Sequence, residues 1–132
     1  KEVEETLREI KEYTLADHFS PDWQLSQRIF NKLKEEISVL GEIIEKINKQ
    51  YIAYFKEDAS KSFFEVVVLK KGLRISIRPK LNQLKSPHLK LEDCSEKNHW
   101  TNGNTNFMLA KLEDMPYALD LIKQAYDIVY SS

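Results

Sequence analysis

Two short runs rich in β-branched and aromatic residues, Phe63–Lys70 and Leu73–Arg78, meet at Lys70-Lys71-Gly72, and this junction constrains the fold more than any other part of the chain. Strands joined this closely can pair only antiparallel, and Gly72 supplies the positive φ that a tight hairpin turn requires. Within the second run Leu73, Ile75 and Ile77 alternate with Arg74, Ser76 and Arg78. The alternation predicts one apolar face and one basic, wet face. An apolar face must be covered, so the hairpin calls for helices elsewhere in the chain.

Two helices are predicted. Ser20-Pro21-Asp22 has the composition of a helix start, and Trp23, Phe30, Leu33, Ile37 and Leu40 then recur at helical spacing up to Gly41. Ala118, Leu121, Ile122, Ala125, Tyr126 and Val129 follow the i, i+3, i+4, i+7 pattern behind Asp114 as cap and Pro116 in the first turn. Tyr51–Lys56 and Phe107–Leu112 add a first and a fourth strand, the latter introduced by Asn102-Gly103, while residues 79–100 read as a long connection with one helical turn. Val3, Leu7 and Ile10 give residues 1–13 the period of a short amphipathic helix, or of a linker from a longer chain. The expectation is an α+β domain over residues 14–132, an antiparallel sheet of about four strands packed against two main helices, with a short N-terminal helix ahead of it. A length of 132 residues, 42% of them hydrophobic and 31% charged, suits one such domain.

Charge narrows the partners. Twenty basic residues against 21 acidic ones exclude a uniformly basic nucleic-acid binder. The signs are nonetheless separated: residues 1–50 carry 8 positive and 11 negative charges, whereas seven basic residues and no acidic one lie between Glu65 and Glu92. They are Lys70, Lys71, Arg74, Arg78, Lys80, Lys85 and Lys90. Arg forks and Lys point charges suit phosphate oxygens, although basic hairpin tips also discourage edge-to-edge aggregation. Tyr51 and Tyr54 lie on opposite strand faces, so only one of them shares a side with Arg74 and Arg78.

His99-Trp100-Thr101-Asn102-Gly103-Asn104 gathers an imidazole, an indole and amides in six positions. His99 suits proton transfer near neutral pH and Trp100 suits stacking on a planar ligand. The same residues also fit a tight turn at Asn102-Gly103 with Trp100 plugging the core. Cys94, His18, His88 and His99 lack the paired spacing of zinc ligands, and glycines at only 41, 72 and 103 exclude a phosphate-cradling loop, so no metal or cofactor is expected. Glu9-Ile10-Lys11 precedes Pro21-Asp22, the wrong order for a nuclease of the Pro-Asp…Asp/Glu-x-Lys type. With no paired nucleophile, the chain is expected not to be an enzyme. A lone Cys94 suits the cytoplasm. No apolar run reaches the ~20 residues of a membrane span. The acidic start without Met points to a fragment of a longer chain.

Three motifs carry a family resemblance: Lys49-Gln50-Tyr51-Ile52-Ala53-Tyr54, His99-Trp100-Thr101-Asn102-Gly103-Asn104 and Leu121-Ile122-Lys123-Gln124-Ala125-Tyr126. In order and approximate spacing they resemble an uncharacterised bacterial and archaeal C-terminal domain family of unknown function, often labelled "predicted transport protein", over roughly residues 14–127. Its members usually have Gly where this chain has Asn98, and often an acidic residue where it has Asn104. The resemblance implies a module found alone or attached to nuclease-type or restriction-type chains, with no established catalytic residues. Together these features predict an accessory module binding nucleic acid or a phosphate-bearing ligand beside a nuclease or defence-type protein. Its contacts would be Lys70, Lys71, Arg74, Arg78 and Lys80, with His99 and Trp100 as further candidates. The competing expectation is a protein-interaction or homodimerisation domain with no nucleic-acid role.

Overall fold

The computed structural model describes residues 13–96 and 102–131. The expected helix over 1–13 lies, apart from Tyr13, outside them. Along the chain run α1 (Gln24–Ile37), β1 (Ile43–Ile47), β2 (Ile52–Lys56), β3 (Ser62–Leu69), β4 (Gly72–Ile77), β5 (Glu92–Asp93), β6 (Thr105–Leu109) and α2 (Met115–Tyr130). The strands form one antiparallel sheet in the order β1-β2-β3-β4-β6-β5.

The α+β class and the central hairpin stand as expected, but the sheet has six strands rather than about four. β1 escaped the sequence reading because Glu45 and Lys46 interrupt its apolar residues, and as an edge strand it is only half covered. β5 is two residues long and carries no strand pattern of its own. α1 begins at Gln24 rather than after Ser20. The Trp23 amide donates to the Ser20 carbonyl at 3.0 Å, closing a turn with Pro21 at its second position, where a ring-locked φ is favoured. β6 ends at Leu109, and Leu112–Asp114 instead forms a 3₁₀ turn leading into α2. Asp114 occupies the cap position of α2, yet its side chain makes no capping hydrogen bond.

Both helices cover one face of the sheet, α1 over β4 and α2 over β3. Leu73, Ile75 and Ile77 point into this core with Val66, Val68, Leu121 and Ile122, as the two periodicities require. A register shift at Tyr54/Phe55 leaves Phe63 as the extra residue on β3. Two consecutive phenylalanines thereby reach the helices, Phe64 stacking on Tyr54 and Phe63 meeting Tyr126 edge-on. Tyr54 also donates from its hydroxyl to Glu45 at 2.8 Å, and Glu45 pairs with Lys34 of α1 at 3.1 Å.

The hairpin tip is pinned from below. Ser26, fully buried on α1, donates to the carbonyls of Leu69 and Gly72 and accepts the Gly72 amide at 2.8 Å. Gly72, at φ +145°, leaves no room for a side chain, because a Cβ would sit 2.6 Å from the Leu109 carbonyl oxygen.

Two outcomes follow for stability. Ser26→Ala leaves buried backbone groups unpaired and should destabilise the domain by about 1–3 kcal/mol in urea unfolding. Burial, reinforced by the Glu45 carboxylate, holds the Tyr54 hydroxyl far above the ordinary value of 10.0. Its contribution is therefore complete below pH 10 and is lost as pH rises beyond that, where the unfolded chain ionises first. Tyr54→Phe should flatten the alkaline fall in stability measured by thermal melts above pH 10.

Candidate functional site

The face of the sheet turned away from the helices is not the wet surface that alternation predicts. Cross-strand register sets Glu65, Ser76, Asn106 and Glu92 in one row from β3 to β5. Glu65, Ser76 and Asn106 are buried. The reason is the return of the chain across this face. Asn104 donates its amide to the Ile77 carbonyl at 2.9 Å, and Cys94 donates to the Asn104 carbonyl at 2.7 Å. Gly103 lies directly on β4: a Cβ there would collide with Ser76 Oγ and stand 2.9 Å from the Ile77 carbonyl oxygen.

Glu65 anchors this cover. Its Oε1 accepts the Asn102 backbone amide at 2.5 Å, its Oε2 accepts Asn102 Nδ2 at 3.2 Å, and Ser62 Oγ donates to the same oxygen at 3.4 Å. A buried carboxylate is tolerated only when its lone pairs are met by donors, and a backbone amide with a side-chain amide meets them. Tyr51 adjoins the group. Partial burial, then the Glu65 charge, raise its hydroxyl above the ordinary range, against a lowering hydrogen bond from Asn102 and the charge of Arg78. Tyr51 is thus the tyrosine that shares the face of Arg78, while Tyr54 belongs to the core.

Beside this row, a cleft of about 380 Å³ opens between β4, β6 and the segment entering β5. Arg74, Lys90, Leu91, Glu92, Asn106, Phe107 and Met108 line it. Arg74 reaches it because Arg74 and Met108 are cross-strand partners on the outer face. Lys90 reaches it because the 80–91 segment is tied to α2: Gln124 accepts the Lys85 amide at 3.0 Å and donates to the Lys85 carbonyl at 2.8 Å. His88 stacks on Tyr117 of the same helix.

The basic residues singled out from sequence separate into two ends. Lys70 and Lys71 are exposed at the hairpin tip, four and three positions from Arg74. Arg78 and Lys80 sit at the opposite end of β4, on the order of 25 Å away. There Arg78 Nε donates to the Ser62 carbonyl at 2.6 Å, and Lys80 begins the 3₁₀ turn Leu81–Gln83. His99 and Trp100 lie outside the described residues. Sequence reasoning missed Asn106, and it raised Glu65 only as a carboxylate that folding could bring near His99. An amide inside a strand run is the signal for Asn106, since Asn disfavours strands unless its side chain has a task there. Among the described residues no cluster of three or more His, Cys, Asp or Glu could hold a metal ion, and no helix is long and apolar enough to cross a membrane.

A family model described as "Domain of unknown function (DUF5655)" matches residues 15–129. An "Uncharacterized protein" of Haemophilus influenzae is 31% identical over 120 residues, which cover 90% of this chain and 39% of that relative. The chain thus spans about two fifths of the relative's length. No solved structure matches.

Because Gly103 seats the cover on β4, Gly103→Ala should lift Asn102 away from Glu65 and cost about 1–3 kcal/mol. Hydrogen exchange should then show faster exchange at the Asn102 and Asn104 amides, while protection in α1 and α2 is kept.

Proposed function

This chain belongs to the family described as Domain of unknown function (DUF5655), and from that premise we propose that it is an accessory module that binds nucleic acid or another phosphate-bearing ligand. One observation carries the reading: Arg74 and Lys90, brought from separate segments, line a single cleft within a few residues of the exposed Lys70-Lys71 tip. Two cations on one concave surface, one a planar fork and the other a mobile point charge, suit phosphate oxygens. Arg78 and Lys80 follow the end of the same strand and would meet a longer ligand there.

In this reading the module binds and does not catalyse. It works in the cytoplasm beside, or joined to, a nuclease or defence-type protein. The relative's greater length supports a place within a longer chain, and the buried Cys94 thiol suits a reducing compartment.

Fluorescence anisotropy with a labelled single-stranded oligonucleotide at low salt is the test. Arg74→Ala and Lys90→Ala should each weaken binding about tenfold, or ~1.4 kcal/mol, and each should flatten the salt dependence by about one phosphate contact. No binding by the intact chain overturns the reading. A salt-sensitive dimer without oligonucleotide affinity would replace it with the assembly role.

A further inference from the structure

The cleft is more selective than a phosphate site needs to be, because it pairs its two cations with two acceptors. Asn106 is 7% exposed, and its Oδ1 has no hydrogen-bond partner among the described residues. Its strand neighbour Glu92 places an exposed carboxylate on the same wall. An unpaired buried acceptor opposes folding, so its presence on the floor of a cleft calls for a donor from outside. Inorganic phosphate offers no N–H donor, only its acidic hydroxyls, and Glu92 repels its charge. A simple cation is repelled by Arg74 and Lys90. The ligand that satisfies all four groups carries an anion at one end and N–H donors at the other. Leu91 and Met108 ask that an apolar body join them. The lining side chains best able to give way to it are the long, unbranched ones, Met108, Arg74 and Lys90.

The geometry points to a nucleoside phosphate with an amino-bearing base, free or as the terminal nucleotide of a strand. Its phosphate lies on Arg74 and Lys90, and its base donates to Asn106 Oδ1 and Glu92. A volume of about 380 Å³ is within the range of small-molecule sites and exceeds what a lone carboxylate needs. This assignment rests on the phosphate-binding reading above and deepens it by naming what the acceptors read.

Calorimetric titration of the whole chain with guanosine 5′-monophosphate, ribose 5-phosphate and inorganic phosphate tests it. The mononucleotide should bind at least about tenfold more tightly than ribose 5-phosphate, the equivalent of one good donor–acceptor contact. Asn106→Leu should abolish that preference, leave ribose 5-phosphate within about twofold, and raise the melting temperature, because the unpaired acceptor is gone. Should Asn106→Leu fail to fold, Glu92→Gln, at an exposed position, should cut the preference severalfold. A 5′-phosphoguanosine oligonucleotide that outcompetes the mononucleotide, and loses its advantage in Lys70→Glu/Lys71→Glu, identifies the strand end as the source; equal competition identifies the free nucleotide. Equal affinity for the mononucleotide and ribose 5-phosphate, or a preference that survives Asn106→Leu, overturns the assignment. In that case oligonucleotide binding that still depends on Arg74 would leave the broader reading intact.

Discussion

A carboxylate in the middle of a sheet face has to be supplied with hydrogen-bond donors, and this requirement at Glu65 organises everything on the side of the molecule away from the helices. Its donors arrive with the chain at Asn102, so the polypeptide at residues 102–104 runs from β3 over β4 before β6 begins. Once it does so, Gly103 settles on Ser76, Asn104 joins the end of β4, and Cys94 closes the return. The middle of the outer face, at Glu65, Ser76 and Asn106, becomes a second, polar interior. The cleft at Arg74 and Lys90 opens where this cover gives way to the segment entering β5.

The inner face was legible from sequence because it obeys simple periodicity. Leu73, Ile75 and Ile77 alternate, Leu121 and Ile122 sit on a helical stripe, and all are buried together. The outer face was illegible for the same reason. Ser76 follows a polar pattern that predicts exposure, and only the long-range return of residues 102–104 buries it. Periodicity reports which face is apolar, whereas polar burial depends on partners distant in sequence. β1 and β5 were lost because edge strands carry weak patterns: β1 has charges in its middle and β5 has too few residues to show a period.

The candidate site shows the same division. A count of charge identified the cationic stretch, yet strand geometry, not sequence distance, decides which members share a surface. Arg74 and Lys90 are sixteen positions apart and line one cleft, while Arg78, only four positions from Arg74, is turned to the Ser62 carbonyl instead. The motifs that carry the family resemblance divide likewise. Tyr54, Leu121, Ile122 and Tyr126 build the core, Gln124 fastens the loop that delivers Lys90, and Tyr51 and Asn102 attend Glu65.

The serine clamp beneath the hairpin gives the domain a mechanical property. Hairpin tips ordinarily fray first, since their turn amides face water and little holds them. Here the Gly72 amide and the carbonyls of Leu69 and Gly72 are bound to Ser26 on α1. Lys70 and Lys71 therefore ride on a stiff lever rather than a loose flap. A load taken up by those two lysines passes through Ser26 into α1 rather than being lost in a loose turn.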